Sequence, residues 1–315
     1  MKRILVLLST YNGEDYIKEQ LDSLFSQNDV LIHILARDDN SHDQTLSILR
    51  SYEKDSKDIT VLSGENMGPA RSFYELMLYA FNNMERYDYY SFCDQDDIWY
   101  SDKLYLAVKE LEKRDNALGF YFSNFDIINE NGVCFSKGLI PPRINYKTVL
   151  FRNPCLGCSQ VFTYELLEQG CEVIQYVKKT NNDVLNKMLH DSFMARLAYY
   201  LDSYVVCDRE NRFAYRQHKH NVTHYTGKSR LHKFLENFKT YSKLYPAPFS
   251  REASILLAVE RKRISREKQI FLEMVGDYQK SIWKTLKFAF LYASQFKNQL
   301  SIAAYVFVLI IFRRF

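Results

Sequence analysis

Up to Ile128 the apolar positions fall in short unbroken runs separated by polar clusters, and the runs alternate with segments of helical spacing. Ile4–Ser9 is continuous, as a strand covered on both faces reads. Tyr16, Ile17, Leu21, Leu24 and Phe25 then recur at the period of a helix, and Val30–Ala36 predicts a second strand. The alternation continues with a helix around Gln44–Tyr52, a strand at Ile59–Leu62, a helix at Ala70–Phe81 and a strand at Tyr89–Cys93. A helix over Ser101–Lys113 and an aromatic strand over Leu118–Ile128 follow. Repeated strand–helix units predict an α/β fold with a Rossmann-like, mostly parallel sheet flanked by helices.

Regularity weakens through Gly132–Arg152, where Pro141 and Pro142 mark a loop. Asp191–Leu201 predicts a further helix, Tyr204–Cys207 and Phe213–Tyr215 predict short strands, and a basic helical tail starts near Ser229. The expected division is a catalytic domain over 1–228, with halves of about 1–115 and 116–228, and a helical extension over 229–315. In open parallel sheets ligands bind outside the carboxyl ends of the strands. Thr10–Glu14, Asp38–Ser41, Asn66–Arg71 and Asp94–Asp97 all fall at such ends and would face one crevice. Taken singly, each also reads as an ordinary polar loop.

The 315 residues are enough for a substantial core, and 47% apolar with 25% charged residues is a globular composition. A formal net charge of +4 is unevenly placed, with acids around the first motifs and Lys/Arg clustered after Lys219. Six scattered Cys fit a reducing cytoplasm, and Cys155–Cys158, without a second pair or His ligands, reads as an incidental C-x-x-C. Ile4–Leu8 is shorter than the ~7–15 residues of a signal segment, and Leu300–Phe312 is shorter than the ~17–25 of a spanning helix. The latter suggests an interfacial helix.

Asp94, Asp96 and Asp97 put three carboxylates within four residues of an apolar strand. Two unit charges about 4 Å apart repel by about 4 kcal/mol at an effective dielectric near 20, a cost that a divalent cation removes. Carboxylates select hard ions, and Mg2+ is usually held by one or two of them together with substrate phosphates. A solvated acidic turn before a helix is the alternative, but Tyr89, Tyr90, Phe92 and Trp99 flank the acids with bulk that normally goes inside.

Five segments, "LSTYNGEDYIKEQLDSLFSQ", "ARDDNSHDQT", "NMGPARSF", "FCDQDDIW" and "HDSFMARL", resemble the inverting family 2 glycosyltransferases with the GT-A fold. The likeness covers Lys2 to about Asn221 and rests on motif order and spacing. Within that family, "DQDDIW" and the Tyr215–Asn221 segment are most similar to bacterial rhamnosyltransferases that use dTDP-rhamnose in surface polysaccharide synthesis. The resemblance implies that Thr10, Tyr11, Asn12 and Glu14 hold the nucleotide, and that Asp39 receives a base N–H through a charge-assisted hydrogen bond. It places Asn66, Gly68, Arg71 and Arg216 along the nucleotide and diphosphate, and Asp94 between metal and ribose. Asp94, Asp96 and His218 become candidate ligands of Mn2+ or Mg2+, and Asp191, at a helix start, the base that takes the acceptor proton. For His190, a packing role and a proton relay are both open.

The expected partners are a nucleotide-sugar donor and a glycan or polyprenyl-linked acceptor, with peripheral contact at the inner face of the cell membrane through the basic amphipathic tail. The alternative for that tail is a helix pair packed against the catalytic domain or a second subunit. Acceptor specificity is expected between Asn131 and Lys179. A UDP-hexose donor is the alternative within the same chemistry. A catalytically silent scaffold is the alternative of another class, against which the intact Asp94, Asp96 and Asp191 argue. Nucleic acid is not an expected partner, since no recognition module accompanies the basic tail.

Overall fold

The computed structural model describes residues 1–114, 117–141, 143–151, 153–180, 182–186, 188–219, 221 and 248–296, with 303, 306, 307, 310 and 311. Two compact units divide the chain, one comprising Met1–Pro142 with Asn153–Val222 and the other Arg143–Arg152 with Thr223–Phe315. Residues 143–152, assigned from the sequence to the acceptor half, thus group with the C-terminal unit.

In the first unit, β1 (Lys2–Thr10), β2 (Val30–Asp38), β3 (Ile59–Ser63) and β4 (Tyr89–Cys93) pair in parallel in the order β3-β2-β1-β4. Central β1 is apolar on both faces because both faces are covered. Ile4, Val6 and Leu8 join one cluster with Ile17, Leu21 and Leu24 of α1 (Ile17–Phe25) and Leu104 of α4 (Lys103–Leu111). Leu5 and Leu7, outside that cluster, are equally buried. α2 (Thr45–Asp55) and α3 (Pro69–Asn83) complete the predicted alternation. Gly68, with φ of +82°, makes the turn into α3, and Pro69 begins it with a φ suited to a first helical residue.

Beyond β4 the sheet becomes mixed. β8 (Val161–Thr163) runs antiparallel between β4 and β6 (Gly119–Ile128), and β9 (Tyr204–Arg216) is parallel to β6. β5 (Ile98–Trp99) pairs antiparallel with β9, and β7 (Cys134–Gly138) with β6. The two short strands predicted after Tyr204 are one strand. Its middle, Asp208–Arg212, is polar: Asp208 accepts from Tyr121 Oη (2.7 Å) and Arg212 Nε (2.8 Å), and the register with β6 shifts there, from Ser123 opposite Asp208 to Asn124 opposite Asn211, while the strand continues to Arg216. α6 (Tyr164–Thr180) has no counterpart among the predicted elements, although Leu166, Leu167, Cys171, Ile174 and Val177 recur at helical spacing and are all buried. α7 (His190–Tyr200) buries most of its circumference.

The second unit holds α5 (Thr148–Phe151), α8 (Pro248–Glu260), α9 (Arg266–Asp277) and α10 (Ile282–Ala293). Phe271, Tyr278, Phe288 and Tyr292 form its aromatic centre. Tyr146 donates to Glu267 Oε1 at 2.6 Å, and Tyr292 to the Lys147 carbonyl at 2.5 Å, so residues 143–152 are built into this unit. The boundary at 228/229, the tail start near Ser229 and most of Leu300–Phe312 lie outside the described residues. Among those described, no helix is long and apolar enough to cross a membrane.

Candidate active site

The loops after β1, β2 and β3 are fastened to one another. Both of the first two turn through an Asn with positive φ, Asn12 at 48° and Asn40 at 68°, a conformation Asn tolerates better than most residues. The backbone N–H groups of Asn12, Gly13 and Glu14 donate to Ser41 Oγ (2.9 Å), Thr45 Oγ1 (2.7 Å) and Asp43 Oδ2 (3.1 Å). In return Asn12 Oδ1 accepts from the His42 N–H (2.9 Å) and Glu14 Oε2 from the Gln44 N–H (2.7 Å). Asp38 accepts from Ser41 N (2.9 Å) and Ser41 Oγ (2.6 Å), with Thr10 Oγ1 at 3.3 Å. Tyr11 remains 44% exposed, its backbone bracketed by Gln95, whose Oε1 accepts at 2.7 Å and whose Nε2 donates at 2.9 Å.

Asp39, expected to receive a base N–H, is 2% exposed. It is ion-paired with Arg37 and accepts from the N–H groups of Met67 (3.0 Å) and Gly68 (2.9 Å). Its carboxylate therefore holds the third loop against the second. Asn66 in that loop is exposed, and Arg71 lies in the first turn of α3.

The acidic loop after β4 meets the end of β9. Asp96 Oδ2 is 2.8 Å from His218 Nε2, and the His218 ring stacks on Tyr16 with centroids 5.0 Å apart. Arg216, expected along the diphosphate, is instead 2% exposed and committed within the protein. Its Nε donates to the Asp96 carbonyl (2.9 Å), Nη1 to the Glu130 carbonyl (3.1 Å), and Nη2 pairs with Glu19, while the guanidinium lies over Tyr16. Arg216 is a clamp on the acidic loop, not an open anion site. Its backbone N–H donates to Asp97 Oδ1 at 3.1 Å, and Asp97 is fully buried.

Behind the loop lies Cys158. Its sulfur and one oxygen each of Asp94 and Asp97 fall within 4.8 Å of one another. Burial, then the charges of Asp96 and Asp191, hold the Asp94 carboxyl above the usual range, and burial with Asp96 and Asp94 raises Asp97 further. Lys103 is buried nearby with its Nζ 3.3 Å from the centre of the Trp99 ring, and burial draws its pKa down to about 7. A cation on an aromatic face is attracted by the ring quadrupole, so Trp99 partly replaces lost water.

Asp191 stands in the first turn of α7. Its Oδ1 accepts from the Ser192 N–H (2.6 Å) and its Oδ2 from Asn153 Nδ2 (2.7 Å), while Gln160 Nε2 donates to its carbonyl (2.9 Å). These donors fix the orientation of the carboxylate. His190 stacks on Phe73 with centroids 3.8 Å apart and meets Phe92 edge-on. Burial lowers its pKa to about 4, and neither ring nitrogen has a hydrogen-bond partner. Among the described residues His190 is thus packed between Phe73 and Phe92.

The structure thus forms two groups. In the first, Asp96 pairs with His218 and Asp94 lies under the charges of Asp96 and Asp191, but among the described residues the ligand atoms within 4.8 Å of one another are those of Asp94, Asp97 and Cys158, not those of Asp94, Asp96 and His218. In the second, Thr10, Asn12, Glu14 and Asp39 belong to one cross-linked set of loops. Arg216 joins the first group as a support. Sequence reasoning missed Gln95, Asn153, Cys158, Lys103, Tyr16 and Glu19 as neighbours of the site. Gln95 lies inside the acidic run and Cys158 in the C-x-x-C read as incidental, whose sulfur the fold sets beside Asp94 and Asp97, but Asn153 carries no local signal.

Residues 5–159 match the model of Glycosyl transferase family 2. The Shigella flexneri dTDP-rhamnosyl transferase RfbG is 31% identical over 226 residues, 68% of this chain and 72% of that protein. The Escherichia coli UDP-Glc:alpha-D-GlcNAc-diphosphoundecaprenol beta-1,3-glucosyltransferase WfgD is 29% identical over 159 residues, 50% of this chain and 58% of that one. Among solved structures, S. aureus TarS 1–349 in complex with UDP-GlcNAc superposes with a TM-score of 0.55 at 17% identity, covering 99% of this chain and 82% of TarS 1–349. At that identity the likeness shows the fold, which is GT-A.

Proposed function

The chain belongs to glycosyl transferase family 2, and on that premise we propose that it is an inverting, metal-dependent transferase moving L-rhamnose from dTDP-rhamnose onto a growing surface polysaccharide. The observation that carries this reading is the convergence of Asp94, Asp96, His218 and Asp191 at the carboxyl end of β4, together with the 31% identity to a dTDP-rhamnosyl transferase.

The donor set fits a divalent cation. Asp94 and Asp96 offer hard oxygens and His218 an imidazole nitrogen, a combination suited to Mn2+ and compatible with Mg2+. The mutual repulsion that raises Asp94 is what such an ion would relieve. When bound, the ion would stabilise negative charge on the departing nucleoside diphosphate. Glu19 and Tyr16, through Arg216 and His218, hold the loop that carries Asp96.

Asp191 is assigned the base. Asn153 and the Ser192 N–H each occupy one lone pair of its carboxylate, leaving others for an acceptor hydroxyl. That oxygen forms its bond to the anomeric carbon from the face opposite the diphosphate, its proton passes to Asp191, and the electrons of the breaking C–O bond leave with the diphosphate. The nucleotide is assigned to Thr10, Tyr11, Asn12, Glu14, Asn66, Gly68 and Arg71, with Asp39 fixing the loops around it. The acceptor is a glycan carried on a polyprenyl lipid, which would bring the chain to the inner face of the cell membrane as a peripheral protein.

A UDP-hexose donor is the second reading, favoured by the likeness to a UDP-glucose-dependent relative. Calorimetric titration with dTDP, UDP and GDP, each with and without Mn2+, separates the two. Metal-dependent binding that favours dTDP supports rhamnosyl transfer, a preference for UDP redirects it to a hexose, and no binding of any overturns the donor site.

A further inference from the structure

Helix α10 is apolar on two opposite sides. Thr285, Phe288, Ala289 and Tyr292 turn into the second unit and are buried. At a helical period the other side presents Trp283, Lys284, Lys287, Phe290 and Leu291, all exposed. Trp283 is 78% and Phe290 66% exposed, the latter even with Phe307 against its ring. Isolated exposed apolar residues need no explanation, but three large ones on one face of one helix do. A helix whose outer face combines large apolar side chains with lysines matches an interface between an apolar phase and water.

The surroundings say which phase. Residues 223–315 contain 17 of the 42 Lys/Arg but only six of the 38 Asp/Glu, so this part of the chain is strongly cationic while the whole carries +4. Lys284 and Lys287 sit among the exposed rings, and Lys280 precedes them by one turn. Lys280 and Lys284 both pair with the partly exposed Asp277 (2.6 and 3.1 Å), a solvent-accessible pairing for which anionic headgroups would compete. Long Lys stems can lie along an apolar surface with the ammonium at its edge, and Trp prefers a boundary between apolar and wet surroundings. Protein interfaces, by contrast, are depleted in Lys at their centres.

We propose that the Trp283–Leu291 face of α10 docks on a bilayer containing anionic phospholipid, with Trp283, Phe290 and Leu291 entering the interfacial region and Lys284 and Lys287 meeting phosphate headgroups. The transferase reading gives this contact a purpose, a lipid-linked acceptor, but the contact does not depend on it.

The chain supplies its own reporter, because it has two Trp and the other, Trp99, is 2% exposed. The full chain is titrated with phosphatidylcholine vesicles and with vesicles that also contain phosphatidylglycerol. Expected are a blue shift of Trp emission and quenching by brominated acyl chains with the anionic vesicles alone, weakened by salt. Trp283→Phe should abolish the shift yet still co-sediment. Lys284→Glu with Lys287→Glu, or Phe290→Ser with Leu291→Ser, should weaken co-sedimentation about tenfold or more. Both pairs leave the buried face intact, and unchanged circular dichroism and nucleotide binding exclude unfolding. The proposal is overturned if neither vesicle shifts the emission, if the paired variants bind as well as the parent, or if lipid-free protein is a dimer with Trp283 already shielded.

Discussion

The loops after β1 and β2 and the cluster around the acidic loop lie at the same edge of one sheet and are built on opposite principles. In the first, the polar groups mostly answer one another: Asn12, Glu14, Asp38, Ser41, Asp43 and Thr45 exchange hydrogen bonds across two loops. In the second, like charges crowd together, Asp97 is buried whole, and Asp94 is held toward its protonated form. The first region has its polar groups paired without a ligand. The second holds unfavourable electrostatics that a bound cation would relieve, and the proposed chemistry is assigned there. Substitutions should accordingly cost rate in the acidic cluster and shape in the loops.

The largest expected effect is at Asp191. Asp191→Asn keeps the bonds to one side-chain oxygen and removes the base, so transfer should fall by roughly a thousandfold while nucleotide affinity changes little. Single-turnover kinetics beside calorimetry decides it, and parallel loss of both would strip Asp191 of that role. Asp96→Ala should next weaken Mn2+-dependent nucleotide binding by about a hundredfold, since it deletes the proposed ligand and releases His218. Metal-free binding should be nearly unchanged.

Stability should depend on acid through His190. The unfolded imidazole takes a proton below its ordinary 6.5, whereas the folded one resists until about 4. The stability it contributes is therefore complete above pH 6.5 and lost as pH falls towards 4, to a total of about 3 kcal/mol. Denaturant titrations of the parent and of His190→Phe should diverge in that window, and parallel curves would place the acid sensitivity elsewhere. The smallest effect tests the wired side. A Cβ on Gly13 would lie 2.3 Å from Gln95 Oε1, so Gly13→Ala should push Gln95 off the Tyr11 backbone. About a tenfold loss of nucleotide affinity with almost unaltered folding is expected, and an effect as large as that of Asp96→Ala would erase the contrast between the regions.

Much of this was legible in the chain. The unbroken apolar runs of β1, β2 and β4 follow from burial on both faces, and their order puts the polar clusters at one sheet edge without coordinates. Asp96 with His218, 122 residues apart, was reachable through family resemblance and not through spacing. β5 and β8, of two and three residues, are too short for a period to register. The joining of residues 143–152 to the C-terminal helices rests on contacts such as Tyr146 with Glu267, which no local pattern encodes.

The sequence by itself determined the α/β alternation, the acidic run and the basic end of the chain, because periodicity and charge are properties of neighbours along the backbone. Only the tertiary structure decided which polar side chains remain available. Asp39 and Arg216, both attractive as ligand contacts, are consumed by Arg37, Met67 and Gly68 and by Asp96, Glu130 and Glu19. Likewise Trp283 and Phe290 face outward while Phe288 and Tyr292, of the same composition and the same helix, face in. A buried donor or acceptor must find a partner wherever the fold provides one, and that choice is made across the sheet, between residues the sequence keeps far apart.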